Sequence, residues 1–140
     1  MNDVETVKVA FLGDRYVGKT SIRTRFVYNK FDPEDNLSSI KGHYDNKTVE
    51  FNEFHTEIKF ELWDINGRVE YIPNLYFKDA KIAILVYDIT NKKSFEEIKS
   101  YYYDIAKSDC DNDAIFVVLG NKYDRYNECQ VSEEEGKEFA

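Results

Sequence analysis

The stretch GDRYVGKT, residues 13–20, follows directly on the apolar run VKVAFL at residues 7–12. It fits the pattern G-x-x-x-x-G-K-[ST], which forms a phosphate-binding loop where a strand leads into a helix. Two glycines let the backbone curl so that successive N–H groups point at phosphate oxygens, and Lys19 adds a positive charge. The Thr20 hydroxyl is a hard oxygen donor of the kind that Mg²⁺ prefers. We therefore predict a phosphate site at residues 13–20, in which Gly13, Gly18, Lys19 and Thr20 have these roles.

Strands alternate with helices on both sides of this loop. Nearly unbroken apolar runs predict strands buried on both faces, as in a parallel sheet, at residues 4–12, 81–88 and 114–119. Alternating patterns at 47–51 and 57–63 predict a hairpin. Helices are expected at 19–29, after a capping box of Ser94 with Glu97, and after another of Ser132 with Glu135. This order predicts an α/β fold with a doubly wound, mostly parallel sheet flanked by helices and containing one antiparallel hairpin strand.

Composition narrows the function classes. The chain has 140 residues, a net charge of -8 and two cysteines, which suits one soluble domain with reduced thiols in the cytoplasm. The negative charge argues against binding nucleic acid through bulk charge. The N-terminal residues MNDVET carry no apolar signal segment, and no membrane anchor is visible in this chain.

A second motif, GNKYD at residues 120–124, follows the last predicted strand and indicates the base. The Asp124 carboxylate can accept hydrogen bonds from N1–H and the amine of guanine, whereas adenine presents an acceptor at N1 and no amine there. Asn121 can bridge the base and the phosphate loop, and the stem of Lys122 can lie along the ring. Since ligands of such sheets bind beyond the carboxyl ends of the strands, both motifs are expected at one site.

The order GDRYVGKT, SSI, WDING, GNKYD resembles the Ras-like small GTPases over residues 4–140. The segments AILVYDITNKKSFEEI at 83–98 and QVSEEEGKEFA at 130–140 are most similar to the Rab branch, whose members regulate vesicle traffic. The resemblance implies a P-loop NTPase fold and a switch that binds GTP or GDP with Mg²⁺ and hydrolyses GTP.

The same resemblance implies roles for individual residues. The phosphates would be wrapped by Gly13, Asp14, Arg15, Tyr16, Val17, Gly18, Lys19, Thr20 and Ser21. Phe31 would pack edge-on against guanine, Asp64 would hold Mg²⁺ through a water, and the Gly67 N–H would meet the γ-phosphate. Thr20 and Ser39 would complete the metal ligands. Lys19 would be the main catalytic cation.

Partner binding is also implied by the resemblance. Segments 31–44 and 64–78 correspond to the switches that γ-phosphate orders and that effector and regulator proteins contact. Tyr44, Trp63 and Tyr76 stand where Rab-type proteins present aromatic side chains to partners. For Trp63, a place in the protein core is an equal alternative.

Several residues depart from the family pattern. Ser39 replaces a threonine that closes over Mg²⁺, with Ser38 as an alternative ligand. Arg68 stands in or near the place of the glutamine that orients the attacking water. Arginine has only donors, so it cannot accept a hydrogen bond from that water. Arg15 and Tyr16 add bulk beside the γ-phosphate.

These departures leave three hypotheses about chemistry. We expect slow GTP hydrolysis, although Arg15 or Arg68 could instead act as an arginine finger in cis. The alternative is an interaction module that binds GTP without hydrolysing it, or a pseudo-GTPase fragment. An ATP-using P-loop enzyme is the third hypothesis.

The family pattern continues beyond the point where this sequence stops. Relatives add a strand, a loop reading roughly S-A-K that contacts the guanine O6, and a closing helix. We therefore expect residues 1–140 to form a single GTPase domain that is incomplete at its C-terminus, with one sheet edge uncovered. The usual lipid anchor lies in that missing part, so the resemblance implies peripheral membrane association only where such an anchor exists.

Overall fold

The structure of the protein is a computed structural model, which describes residues 4–29, 43–64 and 77–140. Its described strands form one five-stranded sheet in the order β2-β3-β1-β4-β5. The β1 strand pairs parallel with β3 and β4, β4 pairs parallel with β5, and β2 pairs antiparallel with β3. This topology confirms the predicted mostly parallel sheet with one antiparallel hairpin strand. The strands are β1 (Glu5–Leu12), β2 (His43–Phe51), β3 (Thr56–Asp64), β4 (Ile82–Asp88) and β5 (Ile115–Asn121).

In the described part of the chain, four α-helices flank this sheet: α1 (Lys19–Tyr28), α2 (Lys92–Glu97), α3 (Tyr103–Asp109) and α4 (Glu133–Phe139). A π-helical turn at Ile98–Tyr102 joins α2 to α3, and 3₁₀ turns lie at Asn52–Phe54 and Tyr123–Glu128. Ser132 and Glu135 form the predicted capping box at the start of α4. None of the helices in the described part of the chain has the length and apolar character needed to cross a bilayer.

The core lies on both faces of the sheet, because successive side chains of a strand point in opposite directions. Along β1, Val9 and Phe11 pack in one cluster, whereas Ala10 and Leu12 pack in another. The first cluster includes Val17 from the phosphate loop. Both faces of β1 are thus covered, as its unbroken apolar run predicts, and the loop after β1 starts from a rigid point.

The second helical region begins earlier than predicted. Its N-cap is Asn91, whose side-chain oxygen accepts a hydrogen bond from the Ser94 backbone N–H. The capping box predicted for Ser94 with Glu97 is therefore wrong. Ser94 is buried in the first turn, and its hydroxyl donates to the Asn91 carbonyl at 2.6 Å. Asparagine caps helices as well as serine does, so the earlier residue provides the cap.

The last strand is also less buried than predicted. Ile115 is 63% exposed, and Phe116 and Val117 are exposed as well. Among the described strands, β5 pairs with β4 alone and forms an edge of the sheet. An apolar run therefore predicted the strand correctly but not its burial, because burial depends on what covers the strand.

Candidate functional site

The loop between β1 and α1 approaches its neighbours too closely for any side chain at its two glycines. A Cβ atom at Gly13 would lie 2.3 Å from the Val86 carbonyl oxygen. A Cβ atom at Gly18 would lie 2.1 Å from Asn121 Nδ2, and Gly18 has a φ of +100°. Since L-residues avoid this conformation, glycine satisfies both the backbone and the packing. The loop is held against β4 on one side and against the GNKYD segment on the other.

Lys19 begins α1 and turns back into this loop. Its Nζ donates hydrogen bonds to the carbonyl oxygens of Gly13 at 2.6 Å and Asp14 at 2.9 Å. The residue is 3% exposed, and this burial lowers the pKa of Lys19 to about 8, although Asp64 and Asp14 oppose the shift. A buried ammonium satisfied by two neutral carbonyls can exchange them for phosphate oxygens, which bind a cation more strongly.

The next residue, Thr20, reaches the end of β3. Its Oγ1 donates to Asp64 Oδ2 at 2.8 Å. Asp64 is fully buried, and its Oδ1 has no hydrogen-bond partner among residues 4–29, 43–64 and 77–140. A buried carboxylate oxygen without a donor is costly unless a cation or water satisfies it. Thr20 and Asp64 therefore fit a hydrated Mg²⁺ ion, which takes hydroxyl, carboxylate and water oxygens.

The GNKYD segment contacts the phosphate loop through Asn121. Its Nδ2 donates to the Val17 carbonyl oxygen at 2.8 Å, across 104 positions of sequence. This hydrogen bond ties the two predicted motifs together at the carboxyl edge of the sheet. Within residues 4–29, 43–64 and 77–140, the Asn121 side-chain oxygen accepts no hydrogen bond.

Lys122 is positioned by a residue that the sequence did not single out. Asp88, at the end of β4, forms an ion pair with Lys122 Nζ at 3.0 Å and accepts hydrogen bonds from the backbone and hydroxyl of Thr90. Burial raises the pKa of Asp88, but the bonds from Thr90 and Lys122 together hold it below its usual range. Asp88 thus stays ionised and fixes the Lys122 stem. The sequence could have indicated this role for Asp88, because it ends the strand that precedes the GNKYD strand.

A cavity of about 610 Å³ opens between α1 and the GNKYD segment. Its volume lies within the range of small-molecule sites. Asp124 is exposed at this cavity, as a carboxylate that binds a base edge must be. The lining residues are Gly18, Ser21, Ile22, Arg25, Phe26, Asn121, Lys122, Asp124 and Arg125.

Arg23 is the second residue of the site that sequence reasoning missed. It is 6% exposed, pairs with Asp45 of β2, and places Nε 3.6 Å from Asp64 Oδ2. No role for Arg23 was predicted from the sequence. Its spacing of three from Thr20 and four from Lys19 was the signal, because residues so spaced share a helix face.

Of the remaining predicted site residues, some are exposed and the others lie outside the part of the chain that the structure describes. Arg15 is exposed, and Tyr16 is 56% exposed with a φ of +63°. Bulk at these two positions therefore faces away from the core. The predicted residues Phe31, Ser38, Ser39, Gly67, Arg68 and Tyr76 lie outside the described residues.

Two of the three predicted partner-facing aromatic residues lie on neighbouring strands, and their rings are in contact at an angle of 59°. Tyr44 of β2 is paired in register with Trp63 of β3, and their ring centroids are 4.8 Å apart. Tyr44 is exposed, whereas Trp63 is half-buried under Lys8, whose Nζ lies 4.8 Å from the indole centroid. Trp63 thus contributes to both the packing and the surface.

The residues of this site lie within a region that matches a known protein family. The family model described as the Ras family matches residues 8–140, which include the phosphate loop, Asp64 and the GNKYD segment.

Proposed function

The chain belongs to the Ras family, and from this premise we propose that it is a Rab-like switch that binds GTP and GDP with Mg²⁺ and hydrolyses GTP slowly. Ras-family proteins in general are small GTP-binding switches that engage regulators and effectors. The observation that carries the proposal for this chain is the Asn121–Val17 hydrogen bond of 2.8 Å. It joins a phosphate loop to a guanine-type motif beside one cavity.

Each end of the nucleotide has residues suited to it. Lys19 and the backbone of residues 13–21 would bind the phosphates, and Asn121 with Asp124 would bind the guanine edge over the Lys122 stem. Thr20 would hold Mg²⁺ directly and Asp64 through a water, with Ser39 as a further ligand. When bound, the ion neutralises charge on the β- and γ-phosphates.

Slow hydrolysis follows from the residues near the γ-phosphate position. Lys19 offers charge stabilisation, but Arg68 has five donors and no acceptor with which to align a water. Charge compensation without an aligned nucleophile supplies only part of the catalysis. Arg15 and Tyr16, exposed at the loop, would in addition obstruct an arginine from an activating partner.

The proposed partners are effector and regulator proteins that contact segments 31–44 and 64–78. Support comes from the exposed Tyr44 ring packed against Trp63, since aromatic side chains are enriched at protein interfaces. By analogy with the Rab branch, we place the protein in the cytoplasm in vesicle traffic, and we take residues 1–140 as one GTPase domain. Any membrane association would be peripheral and depend on a lipid anchor.

The burial of Lys19 predicts how GDP affinity depends on pH. Below about pH 8 the ammonium is already charged, whereas above it GDP binding must take up a proton, because phosphate raises the lysine pKa. Affinity should therefore fall as pH rises, approaching about tenfold per pH unit. Calorimetry between about pH 7 and pH 9 in two buffers of different ionisation enthalpy measures both the decline and the proton uptake.

Lys19→Arg is the matched control for this pH dependence, because a guanidinium does not titrate in the same range. Its GDP affinity should be lower at neutral pH but flat up to about pH 9. Equal slopes for the two proteins would contradict a role for Lys19 titration.

The guanine proposal is tested by comparing GDP with ADP in the presence of Mg²⁺. We expect GDP to bind at least about a hundredfold more tightly, because ADP leaves the Asp124 carboxylate facing an acceptor. Isothermal titration on folded protein stripped of nucleotide gives both constants. An equal response to ADP, or no heat at millimolar GDP, would overturn the proposal.

The alternative function is a GTP-loaded interaction module that does not hydrolyse. The observation that favours it is the pair of bulky, exposed loop residues, Arg15 and Tyr16. Chromatography of the nucleotide released from purified protein separates the two functions. Mostly GDP supports a working hydrolase, and mostly GTP supports the module.

A further inference from the structure

The guanidinium of Arg23 lies between two carboxylates that belong to different strands. Arg23 projects from α1, its Nη1 is paired with Asp45 Oδ2 on β2, and its Nε lies 3.6 Å from Asp64 Oδ2 on β3. The side chain is 8% exposed, and that of Asp64 is fully buried. A fixed positive charge is therefore buried beside the carboxylate proposed to hold Mg²⁺.

Arg23 acts on Asp64 through charge rather than through a hydrogen bond. Asp64 Oδ2 already accepts from Thr20 at 2.8 Å, and Arg23 Nε has no hydrogen-bond partner within the described residues. At 3.6 Å an N–H donor is too far for a good hydrogen bond, but the attraction of opposite charges persists. Because both groups are buried, solvent screens this attraction little.

Asp45 holds the guanidinium in place. One of its oxygens pairs with Arg23, and the other accepts a hydrogen bond from the Tyr28 hydroxyl at 2.7 Å. Lys47, two residues further along β2, also ties this strand to α1 by donating to the Phe26 carbonyl. Since Asp45 is anchored from two sides, Arg23 cannot leave Asp64 without losing a charge-assisted hydrogen bond.

We propose that Arg23 is a positioning residue that serves as a built-in counter-ion for Asp64, so that nucleotide binding by this protein depends only weakly on Mg²⁺. This inference rests on the proposed guanine-nucleotide function. A divalent cation attracted by Asp64 is repelled by the adjacent guanidinium, while that same guanidinium already compensates part of the carboxylate charge facing the phosphates. Removing the guanidinium restores the full charge of Asp64 and makes the cation necessary.

The test measures release of a fluorescent GDP analogue at a series of free Mg²⁺ concentrations, down to EDTA. For Arg23→Met, the ratio of the release rate in EDTA to that in saturating Mg²⁺ should exceed the ratio of the unmodified protein by at least about tenfold. Its half-saturating Mg²⁺ concentration should fall by a similar factor. Lys47→Met is the matched control, because it removes another cation from the same α1–β2 contact; both quantities should remain within about twofold of the unmodified protein.

Asp45→Asn supplies an effect of opposite sign. It keeps the guanidinium but removes one of its two compensating charges, so more positive charge acts on Asp64 and the half-saturating Mg²⁺ concentration should rise by at least about threefold. If the substitutions only damaged the α1–β2 contact, the half-saturating Mg²⁺ concentration would change in the same direction in both variants. Circular dichroism melting in EDTA checks the folding of each variant, and Asp45→Asn alone remains decisive if Arg23→Met does not fold.

The outcomes separate this inference from the proposed function. GDP binding by the unmodified protein with an unchanged Mg²⁺ dependence in Arg23→Met, or a shift of the same sign in both variants, would overturn the counter-ion role alone. Absence of GDP binding at every Mg²⁺ concentration would overturn the proposed function and this inference with it.

Discussion

Lys19→Ala is expected to weaken GDP binding at least about a hundredfold, because it removes the buried charge that the phosphates would contact. The Lys19 ammonium donates hydrogen bonds to the Gly13 and Asp14 carbonyl oxygens, so the loop is organised around it. The alanine variant loses both this organisation and the charge. Titration calorimetry with GDP and Mg²⁺ measures the loss.

The same variant tests the enzymatic part of the proposal. In a single-turnover assay with excess protein, the unmodified chain should convert bound GTP to GDP slowly, and Lys19→Ala should show only the background rate. Equal rates in both proteins would end the hydrolase hypothesis, although binding could survive. Lys137→Ala is a suitable control, since this exposed lysine of α4 pairs only with Glu133 among the interactions described.

Asp124→Asn is expected to exchange guanine preference for xanthine preference. Guanine offers N1–H and an amine, and both are donors that the carboxylate accepts. An asparagine amide instead sets its own N–H donors against that amine, whereas xanthine carries a carbonyl oxygen there and accepts them. GDP affinity should fall at least about a hundredfold, and affinity for xanthosine diphosphate should rise above it.

Asp124 is well suited to this experiment because it is exposed beside the cavity, so the substitution should leave folding intact. Competition of the two diphosphates against a fluorescent nucleotide gives the ratio directly. Glu134→Gln, an exposed carboxylate on the first turn of α4, controls for the loss of one negative charge. An unchanged preference for GDP over xanthosine diphosphate would show that another group reads the base.

Most of the scaffold could be predicted from local patterns. The unbroken run before Gly13 predicted a central strand, alternation predicted the β2–β3 hairpin, and Ser132 with Glu135 predicted the start of α4. These predictions succeeded because periodicity and capping are properties of neighbouring residues. The prediction failed where two nearby residues could both serve as the helix N-cap. Asn91 caps α2, whereas the sequence pattern predicted Ser94.

Sequence alone was enough to predict that the GDRYVGKT loop and the GNKYD segment share one edge of the sheet, because both follow strands and parallel strands end on one side. The sequence did not reveal which buried charges form ion pairs. Arg23 meets Asp45 across 22 positions and Lys122 meets Asp88 across the end of a neighbouring strand. The exposure of β5 and the burial of Lys19 likewise depend on which elements lie against them. A motif can be recognised in the sequence because it consists of particular residue types at fixed, short spacings. The partner of a buried charge is instead set by strand order and register, which arise only when distant segments pack.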